Sequence, residues 1–348
     1  MFMRYSKVKI ASIGYELAPN VVTSAEIEEQ LAPLYDAFKL RRGQLERLTG
    51  VTERRFWESG QPIWVPAAKA GQKALDLGGV PPSDIGMFIY AGVCRDNLEP
   101  ATACAAANNL GVGPSVEVFD VSSACLGVLT GIVRVANAIE LGHIQAGMVV
   151  ACESAREIVE LTINRLLDNP DPATFKKSLA TMTGGSGAVG VLLTEASMID
   201  DGHRLLGGVA RTAPQFHGLC RWGPATGVSA TAPMEMETDA AAVLEHGVKL
   251  GAETWREFKS ILDWGDGQPD RIVCHQVGSW HRNAILKAFE FPSDGDYVTF
   301  SHLGNIGTAS LPMTAAMAAE RGFLQPGHRV GFCGIGSGLN CLFLGLDW

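Results

Sequence analysis

Short apolar runs recur along the chain, and stretches with helical spacing lie between them. The run Val8-Lys-Ile-Ala-Ser-Ile-Gly14 reads as an opening strand, and Thr23-Ser-Ala-Glu26 carries the capping-box pattern that starts a helix. Further strands are predicted at Met87–Tyr90, Val116–Phe119, Gly147–Ala151 and Ala188–Leu193. A second series is predicted at Arg271–Cys274, Tyr297–Phe300, Arg329–Cys333 and Cys341–Leu346. Helices rich in small residues are predicted at 125–141 and 305–321, where alanine and glycine permit burial between layers. Strands alternating with helices imply an α/β fold with mostly parallel sheets covered on both faces.

The two series repeat one pattern. Val118 matches Val298, Cys125-Leu-Gly127 matches Asn305-Ile-Gly307, and Gln145-Ala-Gly147 matches Gln325-Pro-Gly327, all at a separation of 180 residues. Gly185-Ser-Gly187 matches Gly336-Ser-Gly338 at a separation of 151. The first copy therefore carries about 29 additional residues, 154–183. They are helical at 155–167, charged beyond it, and expected to cap a pocket. The chain reads as two pseudo-symmetric halves, 1–200 and 201–348, of one α/β unit.

Composition narrows the function. With 47% hydrophobic and 19% charged residues, the 348-residue chain is globular rather than disordered. Its 40 glycines have no three-residue period, which excludes collagen. The apolar stretch Leu126–Leu141 is broken by Arg134 and Asn137, so no membrane span is expected. A net charge of −9 argues against nucleic-acid binding. No signal-peptide pattern and no CxxC pair among the 8 cysteines read as a cytoplasmic protein with reduced thiols. His275 and His281 lack ligand-spaced partners, so no metal is expected. Gly334-Ile-Gly-Ser-Gly338 precedes a strand rather than a helix, which fits oxyanion N–H donors better than a dinucleotide loop.

Three positions carry chemistry. Cys125, in Asp120-Val-Ser-Ser-Ala-Cys-Leu-Gly127, falls between a strand and a helix N-terminus. Free N–H groups and the helix dipole lower a thiol pKa there, although a small core residue fits the same place. His275 ends a buried strand, a setting that suits a core histidine as well as a catalyst. Asn305, at the repeat counterpart of Cys125, is either a helix cap or an amide donor. The repeat brings these strand-to-helix turns to one seam, where a thiol, a histidine and an amide form the set that acyl transfer requires.

Phe119-Asp-Val-Ser-Ser-Ala-Cys-Leu-Gly127, then His275, then Leu303-Gly-Asn-Ile-Gly-Thr-Ala-Ser310 resemble the thiolase superfamily, and within it the ketoacyl-ACP synthase III-like condensing enzymes. Thr49-Gly-Val-Thr-Glu-Arg-Arg55 is similar to their N-terminal signature, so the resemblance covers nearly the whole chain. It implies the five-layer αβαβα thiolase fold and a homodimer. It also implies acylation of Cys125, one oxyanion site from His275 and Asn305, and a second from the backbone N–H groups of Cys125 and Ser337. No cofactor is implied beyond the CoA or ACP thioesters that serve as substrates, with acyl carrier protein or downstream pathway enzymes as further partners.

Arg95-Asp-Asn-Leu-Glu-Pro100 further resembles the OleA-type long-chain acyl-CoA condensing enzymes of olefin biosynthesis. That likeness makes Glu99, reaching over to the neighbouring subunit, the base that removes an α-proton in a non-decarboxylative Claisen condensation of two acyl-CoAs. An exposed loop glutamate before a proline turn is the plainer alternative. A malonyl-ACP-dependent 3-oxoacyl synthase would share Cys125, His275 and Asn305 without needing Glu99. Arg47, Arg54 and Arg55 are candidates for the CoA phosphates, against a solvated surface face. Two positions depart from the family pattern: His302 is displaced by one residue from a His-Gly-Asn motif, and Leu48 stands where some relatives place an arginine.

Overall fold

The computed structural model describes residues 1–226 and 232–348. Strands β1 (Phe2–Arg4), β2 (Val8–Leu17) and β3 (Asn20–Thr23) open the chain. Helix α1 (Ser24–Gln30) starts at the expected capping box: the Glu26 N–H donates to Thr23 Oγ1, and the Thr23 N–H donates to the Glu26 carboxylate at 2.7 Å. Helices α2 (Ala32–Ala37) and α3 (Gln44–Thr49), strand β4 (Glu53–Phe56) and helix α4 (Trp64–Gly78) follow. The first repeat then runs β5 (Ile85–Tyr90), α5 (Thr102–Asn109), β6 (Glu117–Asp120), α6 (Gly127–Glu140) and β7 (Ala146–Glu153). Helices α7 (Arg156–Asp168) and α8 (Pro172–Ser178) form the insertion before β8 (Gly187–Glu195).

The second half begins with β9 (His203–Thr212), a hairpin of β10 (Cys220–Pro224) and β11 (Met234–Thr238), and the long helix α9 (Ala240–Ile261). It continues through β12 (Arg271–Cys274), α10 (Ser279–Phe289), the short α11 (Phe300–Leu303), α12 (Ser310–Glu320), β13 (Arg329–Gly336) and β14 (Asn340–Asp347).

The main strands order as β12-β13-β14-β9-β2-β8-β7-β5-β6, with β1 against β9. The two halves share one plan. β5 pairs in parallel with β6 and β7, and β8 and β2 follow antiparallel. β12 pairs in parallel with β13, and β14 and β9 follow antiparallel. The halves meet where Lys9 and Ile10 of β2 pair with Arg204 and His203 of β9. β7 is buried along its whole length, as a strand covered on both faces must be, which accounts for its unbroken apolar run.

The strand expected at Tyr297–Phe300 is not formed. A single bridge between Ile272 and Asp296 remains of it, and Phe300 already opens α11. The Gln276 side chain takes the place of the ladder. Its Oε1 accepts the Thr299 N–H at 2.9 Å, while its Nε2 donates to the Cys274 carbonyl at 2.7 Å. Backbone groups satisfied by a side chain need no strand partner.

Four apolar clusters define the layers. The central one packs α6 and α12 between the sheet halves, joining Val128, Leu129 and Ile132 to Leu311, Met313 and Ala315. A second lies between the first half of the sheet and α4 with α5, and a third between the second half and α9 with α10. The result is the five-layer αβαβα arrangement. The fourth cluster joins Ile27, Leu31 and Tyr35 of the N-terminal helices to Val159, Ile163 and Phe175 of the insertion. Among the described residues, no helix is long and apolar enough to cross a membrane.

Candidate active site

β6 ends at Asp120, and a turn in which Ala124 takes a left-handed conformation (φ 45°) delivers Cys125 to the start of α6. Such a conformation costs a non-glycine residue of order 1 kcal/mol and is held only where the surroundings dictate it. Two residues on, Gly127 is obligatory, because a Cβ there would collide with the Ala91 carbonyl oxygen. The end of β13 closes over the same point: a Cβ on Gly336 would lie 3.3 Å from the Cys125 Cβ. The backbone N–H groups of Cys125 and Ser337 lie close enough to the sulfur to favour its thiolate. Burial nevertheless pushes the thiol up to about 12, helped by the nearby Cys220 and Glu153. The low thiol pKa expected from a helix N-terminus is therefore corrected: two N–H groups and a dipole do not offset the desolvation of a thiolate at this depth.

Asn305 is fixed on every side. Its N–H donates to the Thr183 carbonyl and its own carbonyl accepts the Gly185 N–H, both at 2.9 Å, so the end of the insertion straps it in place. Its Oδ1 accepts the Gly307 N–H at 3.0 Å, which turns the amide so that Nδ2 remains as the donor without a partner among the described residues. The turn that follows touches the Cys125 turn across the pseudo-symmetry axis: the Val128 N–H donates to Thr308 Oγ1 at 2.7 Å, and these two residues are 180 apart.

His275 extends β12, with its N–H on the Cys333 carbonyl at 3.1 Å in the same β13 that ends over Cys125. Its ring is desolvated, and Nδ1 has no hydrogen-bond partner. Burial, aided by His281, lowers its pKa to about 4, so the imidazole is neutral at pH 7. A neutral ring carries one N–H donor and one free nitrogen acceptor, which suits a group that both holds an oxyanion and takes a proton.

Cys125 thus follows β6, Ser337 follows β13 and His275 follows β12, with β12 paired to β13 and the Asn305 turn against the Cys125 turn. Glu99 is not among them in the single chain: it stands exposed on its loop beside Leu98, which is 97% exposed. The three arginines separate. Arg47 is exposed on α3, and Arg55 is half-buried with Nη1 on the Ala18 carbonyl at 3.2 Å. Arg54 is corrected from phosphate ligand to structural group. It is 0% exposed, and its guanidinium donates to Val22 O, Ser24 Oγ and Met182 O at 3.3, 3.0 and 3.0 Å, out of reach of any solvent-borne phosphate. A solvent-open cleft of about 300 Å³ beside Arg4, Ile261 and Trp264 lies at the opposite end of β13 from Gly336 and contains none of these residues.

Sequence reasoning passed over Glu153, a buried carboxylate at the end of β7 whose charge reaches Cys125. The available signal was its place at the close of an otherwise apolar strand.

The 3-oxoacyl-(acyl-carrier-protein) synthase III C-terminal family matches residues 262–348. The acyl-CoA:acyl-CoA alkyltransferase of Shewanella oneidensis is 49% identical, over 99% of this chain and 100% of that protein. The acyl-CoA:acyl-CoA alkyltransferase of Xanthomonas campestris is 34% identical, over 99% and 100%. The crystal structure of Xanthomonas campestris OleA with bound lauric acid and lauroyl-CoA superposes with a TM-score of 0.92 at 33% identity, covering 99% of this chain and 100% of that one. With the thiolase-type five-layer fold and similarity over its full length, the chain belongs to the acyl-CoA:acyl-CoA alkyltransferase family of synthase III-like condensing enzymes.

Proposed function

We infer that this enzyme is an acyltransferase that joins two fatty acyl-CoA thioesters by non-decarboxylative Claisen condensation. The observation that carries the reading is the seam itself, where the end of β13 closes over Cys125 and the anchored Asn305 turn adjoins the Cys125 turn. The Cys125 thiol attacks the first thioester, its proton passes to the departing CoA thiolate by way of neutral His275, and acyl-Cys125 remains. The oxyanion of that step accepts the N–H groups of Cys125 and Ser337. Glu99 then removes an α-proton from the second acyl-CoA, and the enolate oxygen accepts from Asn305 Nδ2 and the His275 ring N–H. The carbanion attacks the acyl-Cys125 carbonyl and expels the cysteine thiolate. The product is a 2-alkyl-3-ketoacyl-CoA, and the proton held by Glu99 is returned to the thiolate.

Lauroyl-CoA bound to the Xanthomonas campestris relative supports a fatty acyl-CoA as substrate here. The reaction calls for no cofactor and no metal, since each substrate brings its own activated carbonyl. The exposure of Glu99 and Leu98 supports a homodimer in which Glu99 of one subunit serves the neighbouring Cys125. We place the enzyme in the cytoplasm, with Arg47 and Arg55 towards the CoA phosphates, acyl carrier protein or a downstream enzyme as further partner, and 1–200 and 201–348 as the two half-units. Glu99→Gln tests the chemistry. Lauroyl-CoA should still acylate Cys125 by intact mass, while the condensed product is lost. Undiminished condensation, or dependence on malonyl-ACP with release of CO2, would instead favour a 3-oxoacyl-ACP synthase III.

A further inference from the structure

Glu153 is 4% exposed at the end of β7, where a carboxylate must find donors or lose its charge. The donors it finds come from segments that carry proposed catalytic groups. Oε1 accepts the Val93 N–H at 2.9 Å and Oε2 the Cys94 N–H at 3.2 Å, at the root of the loop that leads to Glu99. The Thr308 backbone and the Cys94 side chain lie near enough to act on its ionisation, while the Cys94 thiol itself donates to the Ser154 carbonyl at 3.4 Å. Gly307, two residues past Asn305, lies flat against it with φ 50°, and a Cβ there would sit 3.1 Å from the carboxylate carbon. The same carboxylate is close enough to Cys125 to raise its thiol pKa.

We propose that Glu153 is a positioning residue: one buried carboxylate ties the root of the Glu99 loop to the turn that holds Asn305, beside Cys125. The inference rests on the condensation reading above and adds what keeps the base and the enolate cradle in register. In a homodimer whose Glu99 serves the neighbouring site, the same tie links the two active sites. The charge has a second consequence. Burial is the main cause that keeps Cys125 protonated, and the Glu153 carboxylate, after Cys220, adds to it by opposing a thiolate. The titratable groups facing Glu153 are the thiols of Cys94 and Cys152 and the Tyr90 phenol, and those facing Cys125 are Glu153 and Cys220.

Glu153→Gln and Glu153→Asp separate these effects in the full-length enzyme, with lauroyl-CoA as probe. The glutamine can accept one N–H but turns its NH2 towards the other. It should retain acylation of Cys125, lose condensation by about tenfold or more, and shift the pH profile of Cys125 alkylation to lower pH. The aspartate keeps the charge but not the reach, so condensation falls while the alkylation profile stays at high pH. The proposal is overturned if acylation and condensation fall together, if condensation is undiminished, if the alkylation profile of Glu153→Gln does not move, or if neither variant folds. Failure of the wild-type enzyme to form an acyl-Cys125 adduct would remove the condensation reading itself, and this inference with it.

Discussion

The resting state of Cys125 yields the sharpest prediction. A thiol titrating at about 12 is, at pH 7, about one part in 10⁵ thiolate, and free ionisation before attack would add about 7 kcal/mol to the barrier. That is enough to slow a reaction by about 10⁵, so the proton must leave as the carbonyl is attacked rather than beforehand. His275, neutral at pH 7 with a pKa near 4, is free to receive it. The assay is alkylation of Cys125 by iodoacetamide, read by peptide mass spectrometry so that the exposed Cys104 does not obscure it. Because only the thiolate reacts, the logarithm of the rate should climb with unit slope from about pH 6 to about pH 10 without levelling. A plateau with a midpoint below about pH 8 would refute the reasoning, since it would mean a preformed thiolate, as in an ion pair with protonated His275.

Two further outcomes follow from buried charge. His203, stacked on Trp348 at 3.6 Å, has its pKa lowered to about 4 by burial. A depressed folded pKa contributes stability that is present above the unfolded value of about 6.5 and is lost as pH falls towards 4, about 2 kcal/mol between pH 7 and pH 5. His203→Phe keeps the stack and should flatten the pH dependence of urea unfolding by that amount; an unchanged slope would contradict the assignment. Arg54→Ala strands two buried acceptors, Ser24 Oγ and the Met182 carbonyl, and should cost about 3 kcal/mol or more in unfolding free energy. Arg47→Ala should leave stability within about 0.5 kcal/mol and raise KM for acyl-CoA, and equal effects of the two variants on stability would count against the division of roles.

Much of the architecture was legible because the repeat is written in the chain. Val128 and Thr308 stand at matching places in the two copies, and in the fold they bond directly to each other. Cys125 and Asn305 stood out as candidates because they hold matching places in the two copies, although α11 rather than a strand precedes Asn305 in the fold. The strand at 297–300 misled because its residues suit a strand, while Gln276, distant in sequence, supplies the hydrogen bonds from its side chain. Arg54 misled because a basic Glu-Arg-Arg run reads as surface until β3, α1 and the insertion close around it.

What the amino-acid sequence by itself determined was the order of elements, the duplication and the identity of the candidate chemical groups. Apolar periodicity and turn residues act locally and leave their mark on neighbouring positions. Tertiary structure alone decided how those groups ionise and what holds them. The depth of Cys125, the neutrality of His275, the withdrawal of Arg54 from solvent and the donors around Glu153 all come from segments far apart in the chain. Desolvation depends on everything that surrounds a group, so no local pattern could encode it.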